Sequence, residues 1–176
     1  MNHYLLVWVA LLVGCSKPTP QTDPEPETLV PERVIVAFKP ATSTRQGFDL
    51  VSSYKLSVSS LNIRYVSSLP ADSLAYVTRH MYSKPYFVKP NFTDGTTLIS
   101  YVDSTRSIEA FVVLQELTAT HQKDWLSTIE HLHLSVALNG PSRWQLNVEK
   151  GREKQWASEF NKSSLVDTAY VEYFYK

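Results

Sequence analysis

Residues 133–148 read HLSVALNGPSRWQLNV, and this stretch decides the fold. Residues 133–138 predict a strand, and residues 144–148 predict a second one because apolar and polar side chains alternate along them. Asn139-Gly140 lies between the two strands. Asn-Gly favours two-residue hairpin turns, in which both central residues take positive φ. The stretch therefore predicts a β-hairpin, and the fold depends on the elements that flank it.

The elements around this hairpin are a strand and a helix on one side and a helix and a strand on the other. Residues 108–117 predict a strand, and Thr118 or Thr120 caps the helix that follows. Residues 152–162 predict a helix and residues 166–175 a last strand. The resulting order, βαββαβ, resembles the ferredoxin-like fold, which implies an antiparallel sheet with both helices on one face.

The first half of the folded part, residues 33–103, predicts a related arrangement. Its segments are a strand at 34–38, a helix at 43–55, a strand at 61–66, a helix from Pro70-Asp72 to before Lys84, and a hairpin around Asp94-Gly95. We therefore expect an α+β protein of two tandem ferredoxin-like lobes, residues 33–103 and 104–176, with helices on one face. Because no linker composition separates the lobes, we expect a shared or side-by-side sheet.

A short apolar run near the start of the chain ends in the only cysteine. Residues 4–13 form a run of 10, too short for a spanning helix of about 20 residues but suited to a signal-peptide region of about 7–15. Leu12-Val13-Gly14-Cys15 resembles a bacterial lipobox, which implies a signal peptide over residues 1–14 and a diacylglycerol, with palmitate, on Cys15. A buried strand of a cytosolic protein is the alternative reading of the run.

Residues 15–32 separate this lipidated cysteine from the folded part. Residues 16–32 contain five prolines and no apolar periodicity, which predicts a disordered, semi-rigid spacer. The spacer carries a net charge of −3 and residues 33–176 a net charge of +3. This small surplus of basic residues is spread over the domain and does not predict the clustered basic surface that nucleic-acid binding needs.

Several short sequence segments together resemble a group of Bacteroidetes envelope lipoproteins that has no assigned activity. They are VIVAFKP at 34–40, SSLPADSL at 67–74, DWL at 124–126 ahead of HLHL at 131–134, and GREKQW at 151–156. Residues 34–39 and 156–172 are also similar in outline to subtilisin-type propeptides and their inhibitor relatives, which are ferredoxin-like. The second resemblance implies an inhibitor-like module, although no protease domain follows and an extra lobe is present.

The sequence predicts no metal, cofactor or catalytic centre. His131 and His133 would place two imidazoles on one strand face, but zinc needs three or four ligands, so His121 or Glu130 would have to join. Five glycines in all leave no phosphate-cradling loop, and no G-x-S-x-G elbow is present.

Two further groups of polar residues have structural interpretations. Asp72-Ser73 is typical of a helix start. Glu149, Glu153 and Glu159 alternate with basic residues, as expected on a solvated helix face.

The aromatic C-terminus is the candidate binding surface. Tyr170 and Phe174 fall on one face of the last predicted strand, and Tyr173 and Tyr175 fall on the other. Such a strand is either covered on both sides or offers aromatic groups to a partner, as in glycan stacking or a protein interface.

Taken together, these features predict a non-enzymatic binding or scaffold lipoprotein of the bacterial envelope. Its lipid would hold it at a membrane, and Ser16 in place of aspartate after Cys15 is compatible with sorting to the outer membrane, which is the expected location. The expected partner is an envelope protein that meets a sheet surface or an edge strand, or a glycan. The alternatives are a protease-inhibitor module and a glycan-binding accessory protein or envelope hydrolase.

Overall fold

The structure, a computed structural model, describes residues 28–89, 98–140 and 142–174. Cys15, the predicted signal peptide, Asp94-Gly95 and Tyr175 lie outside these ranges. The strands are β1 (Thr28–Leu29), β2 (Arg33–Phe38), β3 (Ser57–Ser67), β4 (Ile99–Val102), β5 (Ser107–Leu117), β6 (Leu134–Val136), β7 (Ser142–Asn147), β8 (Val166–Tyr170) and β9 (Tyr173–Phe174). The helices are α1 (Thr44–Ser53), α2 (Leu74–Tyr82), α3 (Ala119–His131) and α4 (Glu153–Phe160).

One antiparallel sheet contains seven of the strands, in the order β4-β5-β3-β7-β2-β8, with β6 also paired to β3. β1 and β9 form a separate two-stranded ribbon. The expected α+β class and the expected shared sheet are therefore confirmed.

The strands of the two expected lobes alternate across this sheet instead of standing side by side. Each of its ladders joins a strand before residue 103 to a strand after residue 104. The second half does have the order βαββαβ, yet its strands pair only with strands of the first half. The expectation of two tandem ferredoxin-like lobes is thus wrong, because the order of elements along a chain does not fix which strands pair.

The expected lobe boundary at 103/104 falls in a tight connection. Val102 pairs with Ser107, so β4 and β5 form a hairpin. Arg106, with φ of 51°, supplies the left-handed residue of its turn. No composition change marks the position because the chain merely reverses direction there.

The hairpin expected at Asn139-Gly140 does not form. β6 and β7 lie end to end along the same edge of β3, with Val136 opposite Tyr65 and Ser142 opposite Ile63. A Cβ on Gly140 would lie 2.5 Å from the Cβ of Arg64, so glycine serves close approach to β3 here. The residues between β6 and β7 therefore form an excursion within one strand line.

The same pattern recurs along the other edge of β5. Phe87 bridges to Leu114, and Ile99 pairs with Ala110. Residues 86–88 and β4 therefore both follow β5 in the same direction, and they do not form the hairpin expected with each other. Asp94-Gly95 and Asn139-Gly140 each predicted a chain reversal. In the structure, the segments that flank each pair run in the same direction along one neighbouring strand.

The helices cover one face of the sheet, as expected. Val34, Val36 and Phe38 alternate into the core along β2. Trp144 of β7 lies at the centre, with its ring 4.8 Å from Phe38 and 4.9 Å from Phe48 of α1 between centroids. The core face also contacts α3 and α4. The opposite face is half-buried or exposed, as at Ile35, Asn62, Val113, Arg143 and Gln145.

The folded part begins before residue 33. Val30 is 4% exposed, and its N–H donates to the carbonyl of Glu172 at 2.8 Å. The Glu153 carboxylate accepts from the Glu32 N–H at 2.8 Å. The spacer is therefore ordered over residues 28–32, because Leu29 and Val30 supply apolar side chains that the proline-rich part lacks.

Candidate functional site

A vacant strand position beside β6 defines the candidate site. β2 pairs with β7 as far as Ala37 opposite Arg143, and then leaves the sheet at Lys39-Pro40. Proline has no N–H to donate to a ladder, and Thr42 N–H closes a turn onto Lys39 O at 2.9 Å. Consequently β2 does not continue alongside β6, which pairs only with β3 among the described strands.

An apolar pocket of about 490 Å³ opens at this position. This volume lies within the range of about 300–1,000 Å³ that small-ligand sites occupy. The lining comes from the β2–α1 connection, from α3, and from β6 with the residues after it. Its apolar members are Pro40, Ala41, Leu126, Ile129, Leu134, Val136 and Leu138.

Tyr65 of β3 forms the polar floor of the pocket. Its hydroxyl bonds to Thr44 Oγ1 at 2.6 Å and accepts from the indole N–H of Trp125 at 3.1 Å. Burial raises the pKa of Tyr65 to about 12, against the smaller opposing effect of these two bonds. The floor is therefore a neutral, satisfied network that fixes the pocket's shape and offers no base or nucleophile.

The rim is polar and joins α1 to α3. Ser43 and Gln46 form a reciprocal capping box at the start of α1, with Ser43 N–H donating to Gln46 Oε1 at 2.9 Å. Arg45 and Glu130 form an exposed ion pair at 2.9 Å. Leu138 lies at the lip and is 72% exposed, an apolar side chain left in solvent beside an apolar cavity.

The outer edge of β6 presents unpaired backbone groups to the pocket. Ser68 N–H donates to His133 O, and Ala137 N–H donates to Arg64 O, so residues 133 and 137 bond to β3. Because hydrogen-bonded and non-bonded pairs alternate in an antiparallel ladder, Leu134 and Val136 turn their N–H and C=O groups away from β3. Within the described residues these groups have no strand partner.

A polar cluster lies elsewhere, between α2 and α3. Lys84 Nζ contacts both carboxylate oxygens of Asp124 at 2.9 Å, and the Tyr86 hydroxyl donates to the same carboxylate. Burial raises the pKa of Asp124, but the bonds from Tyr86 and Lys84 outweigh burial and leave it below its usual value. Burial and the bond to Asp124 raise the pKa of Tyr86. The cluster ties the helices together, and its partners satisfy one another.

The histidines singled out by sequence do not converge. His131 bonds to the Tyr76 hydroxyl, and its ring lies 5.1 Å from the His80 ring between centroids, tilted by 34°. His133 is exposed, and His121 Nδ1 bonds to Glu116 O at 2.7 Å. In residues 28–89, 98–140 and 142–174, no group of three His, Cys, Asp or Glu side chains is placed to hold a metal ion.

The aromatic C-terminus is only partly buried and lies apart from the pocket. Tyr170 is 40% exposed and Phe174 57% exposed, whereas Tyr173 is half-buried. Tyr173 pairs with Leu29, so β1 holds this segment to the molecule. Tyr170 borders a shallow cavity of about 180 Å³ on the open face of the sheet.

The carboxylates around α4 have different roles. Glu149 and Glu159 form exposed ion pairs with Arg152 and Lys162, as expected of a solvated face. Glu153 is 2% exposed, and the expectation of a solvated role is wrong for it. Its carboxylate accepts from two backbone N–H groups, which lowers its pKa.

The expected helix start at Asp72-Ser73 is confirmed in position only. A 3₁₀ turn, Ala71–Ser73, leads into α2. Ser73 takes the N-cap position but makes no side-chain cap bond, because it already has helical backbone angles.

The pocket was not predicted from the sequence, although two sequence features point to it. Pro40 lies two residues after the last residue of β2, so the strand ends there while its neighbours continue. Leu138 precedes Asn139-Gly140, an unusual place for an apolar side chain if the chain turns in solvent. Both signals depend on pairings between residues far apart in sequence.

No protein-family model, curated protein or solved structure matches this chain. Among the described residues, no helix has the length and apolar character needed to cross a membrane.

Proposed function

We propose that this protein is a lipid-anchored lipoprotein of the bacterial envelope with a non-enzymatic binding role. The observation that carries the binding role is the apolar pocket of about 490 Å³ at the vacant strand position beside β6. Pockets of this size with a few fixed polar groups are the usual place for a ligand or a partner's side chain. The outer-membrane location remains part of the proposal.

The chemistry of the pocket favours binding over catalysis. Among its lining residues the only carboxylate is Glu130, which pairs with Arg45 at the rim. Tyr65 stays neutral and is fully bonded. General acid–base catalysis needs a titratable group within reach of a substrate, whereas Glu130 is held in an ion pair at the rim and Tyr65 in the hydrogen-bonded floor.

The anchor rests on the sequence Leu12-Val13-Gly14-Cys15 after a short apolar run. Two acyl chains hold a protein at a membrane where a single chain is marginal, since each buried CH₂ adds about 0.8 kcal/mol. The test is metabolic labelling with an alkyne fatty acid in a Gram-negative host. We expect the wild-type chain to be labelled and Cys15→Ser to be unlabelled; a wild-type chain without label would contradict the anchor.

The binding role is tested by capture from envelope extract with the full acylated protein. We expect one stoichiometric protein partner to be retained. Ala41→Phe, which fills the pocket from an exposed position, should lose it, whereas Ala75→Phe, exposed on α2 and away from the pocket, should keep it. Equal retention by both variants would contradict a role for the pocket.

A second candidate function, glycan binding, has its own observation on the open face of the sheet. Asn62 Oδ1 is buried there without a hydrogen-bond partner among the described residues, in the shallow cavity that Tyr170 borders. Arg143 lies opposite Asn62 in the ladder. An orphan acceptor, a guanidinium and an aromatic ring suit sugar hydroxyls and a stacked sugar ring.

This second function is tested on a panel of soluble envelope oligosaccharides. Tyr170→Ala should abolish retention, whereas Tyr76→Ala, another exposed tyrosine, should not. If the wild-type protein retains none of the panel, glycan binding is rejected.

A further inference from the structure

We propose that the partner bound at this pocket is an extended peptide segment, which adds as a short strand to β6 and places one apolar side chain in the cavity. This inference rests on the proposed binding role and names the class of partner. It concerns the pocket and the free edge of β6, and it does not depend on the lipid anchor.

The edge of β6 has the electrostatic pattern that an extended backbone matches. Leu134 and Val136 each turn a partly positive N–H and a partly negative C=O toward the groove. An added strand presents the same groups in the complementary order, so its partial charges pair with those of β6. The vacancy exists because the chain of β2 departs at Pro40.

The edge of the sheet at β8, by contrast, is covered by a side chain. At the outer edge of β8, the side-chain amide of Asn161 bonds both backbone groups of Ala169, donating to its carbonyl and accepting from its N–H at 2.8 Å each. Natural sheets commonly protect their edges against strand addition. The outward groups of β6 have no such cover among the described residues, and an apolar cavity adjoins them.

The dimensions favour a short peptide over an acyl chain. β6 spans three residues, Leu134–Val136, so an added strand makes only a few backbone bonds before it meets the excursion at Leu138. A lipid tail would fill the cavity but leave the N–H and C=O groups of β6 unpaired. Burying such groups unpaired costs about 1–3 kcal/mol each, which a peptide backbone avoids.

The probe is a phage-displayed library of random peptides of about seven residues, selected on the full-length protein purified in detergent. We expect selected peptides to share one apolar residue at a fixed place. A synthetic peptide of that sequence should slow hydrogen exchange at the amides of Leu134 and Val136. N-methylation of its strand-forming amide should weaken binding about tenfold, equivalent to about 1.4 kcal/mol.

Matched variants separate the pocket from general surface effects. Ala41→Phe should weaken binding of the peptide by about tenfold or more, while Ala75→Phe leaves it unchanged. The proposal is overturned if selection yields no common sequence, if Ala41→Phe binds like wild type, or if protection falls outside β6. Binding that is insensitive to N-methylation would also overturn it, because strand addition requires the backbone donor.

Failure of this inference can be told apart from failure of the proposed function. If the partner retained from envelope extract depends on Ala41 but no extended peptide binds, the binding role stands and the peptide is wrong. If peptides bind but Cys15 is not acylated, the envelope anchor is wrong and the groove stands.

Discussion

Single residues set the closest contacts in the core. The clearest case is Gly47 on the buried side of α1, where helix and sheet meet. A Cβ there would lie 2.6 Å from Cη2 of Trp144 and 2.8 Å from Cζ2. Trp144 is 1% exposed and is held between Phe38 and Phe48, so the indole has no room to move away.

We therefore expect Gly47→Ala to destabilise the protein, although alanine is the better helix former. Alanine gains up to about 1 kcal/mol of helix propensity, whereas overpacking a core costs about 1–3 kcal/mol and here involves a rigid ring. Urea unfolding should give a lower midpoint. Ser158→Ala, on the exposed side of α4, is the control and should change stability by less than about 0.5 kcal/mol. A more stable Gly47→Ala would contradict the close contact.

Residue patterns predicted local structure well where the cause was local. The helix predicted at 43–55 begins at Thr44 as α1, and Ser43 and Gln46 form its capping box. Thr118 caps α3 and accepts from the His121 N–H at 3.2 Å. The burial of Glu153 was not predicted, because the Glu32 N–H that donates to its carboxylate lies 121 residues away in the sequence.

At the scale of elements, we expect the contact between α2 and α3 to depend on pH through His80. Burial lowers the pKa of His80 most, and the charges of Lys84 and His131 lower it further, against the opposing charge of Asp124. The folded protein therefore favours neutral His80 more than the unfolded chain does. Stability is full above the unfolded pKa of about 6.5 and declines as pH falls through the folded value.

Thermal unfolding between pH 8 and pH 5 checks this expectation. We expect the melting temperature to fall across this window and His80→Gln to flatten the fall. His133→Gln, at an exposed histidine, should keep the wild-type slope. A slope that His80→Gln does not change would remove His80 as the cause.

The edge strand β8 gives a second prediction at this scale. Asn161→Ala should expose the backbone groups of Ala169 and cost about 1 kcal/mol, since two hydrogen bonds are lost at a solvent-accessible site. The open edge should also promote self-association, visible by size-exclusion chromatography. Asn147→Ala, which loses one exposed bond to Ser57, is the control and should remain in the wild-type state. An Asn161→Ala protein with unchanged stability and size would refute the protective role.

The bounds of most strands and helices follow from sequence, but their pairing does not. β6 and β7 match the predicted segments, yet both pair with β3 rather than with each other. Asn-Gly reports a local preference for a turn, and here packing of Gly140 against Arg64 decides the path. The pocket could not be predicted because it exists only through the pairing of β6 and the departure of β2.

At the scale of the whole molecule, neither half contains a complete sheet. β2, β3 and β4 come from the first half, and β5, β6, β7 and β8 from the second. Because every ladder of the large sheet crosses between halves, each half alone would expose its strand edges and its apolar face. We therefore expect the two halves to unfold together as one cooperative unit.

Fragments test this cooperativity. We expect residues 28–103 and residues 104–174 each to be unfolded when expressed alone and to recover a native spectrum when mixed or co-expressed. Circular dichroism and amide dispersion in NMR spectra measure both states. A fragment that folds by itself would contradict the interdependence of the halves.

The pairing of β2 between β7 and β8 has a consequence for biosynthesis. While the ribosome makes the first half, β2 and β3 have no neighbours to join, and β2 gains its last neighbour only when β8 has emerged. We therefore expect the large sheet to form only late in translation, with the nascent chain accessible to chaperones until then. For the exported lipoprotein proposed above, this delay would let the chain cross a translocation channel before its large sheet can form.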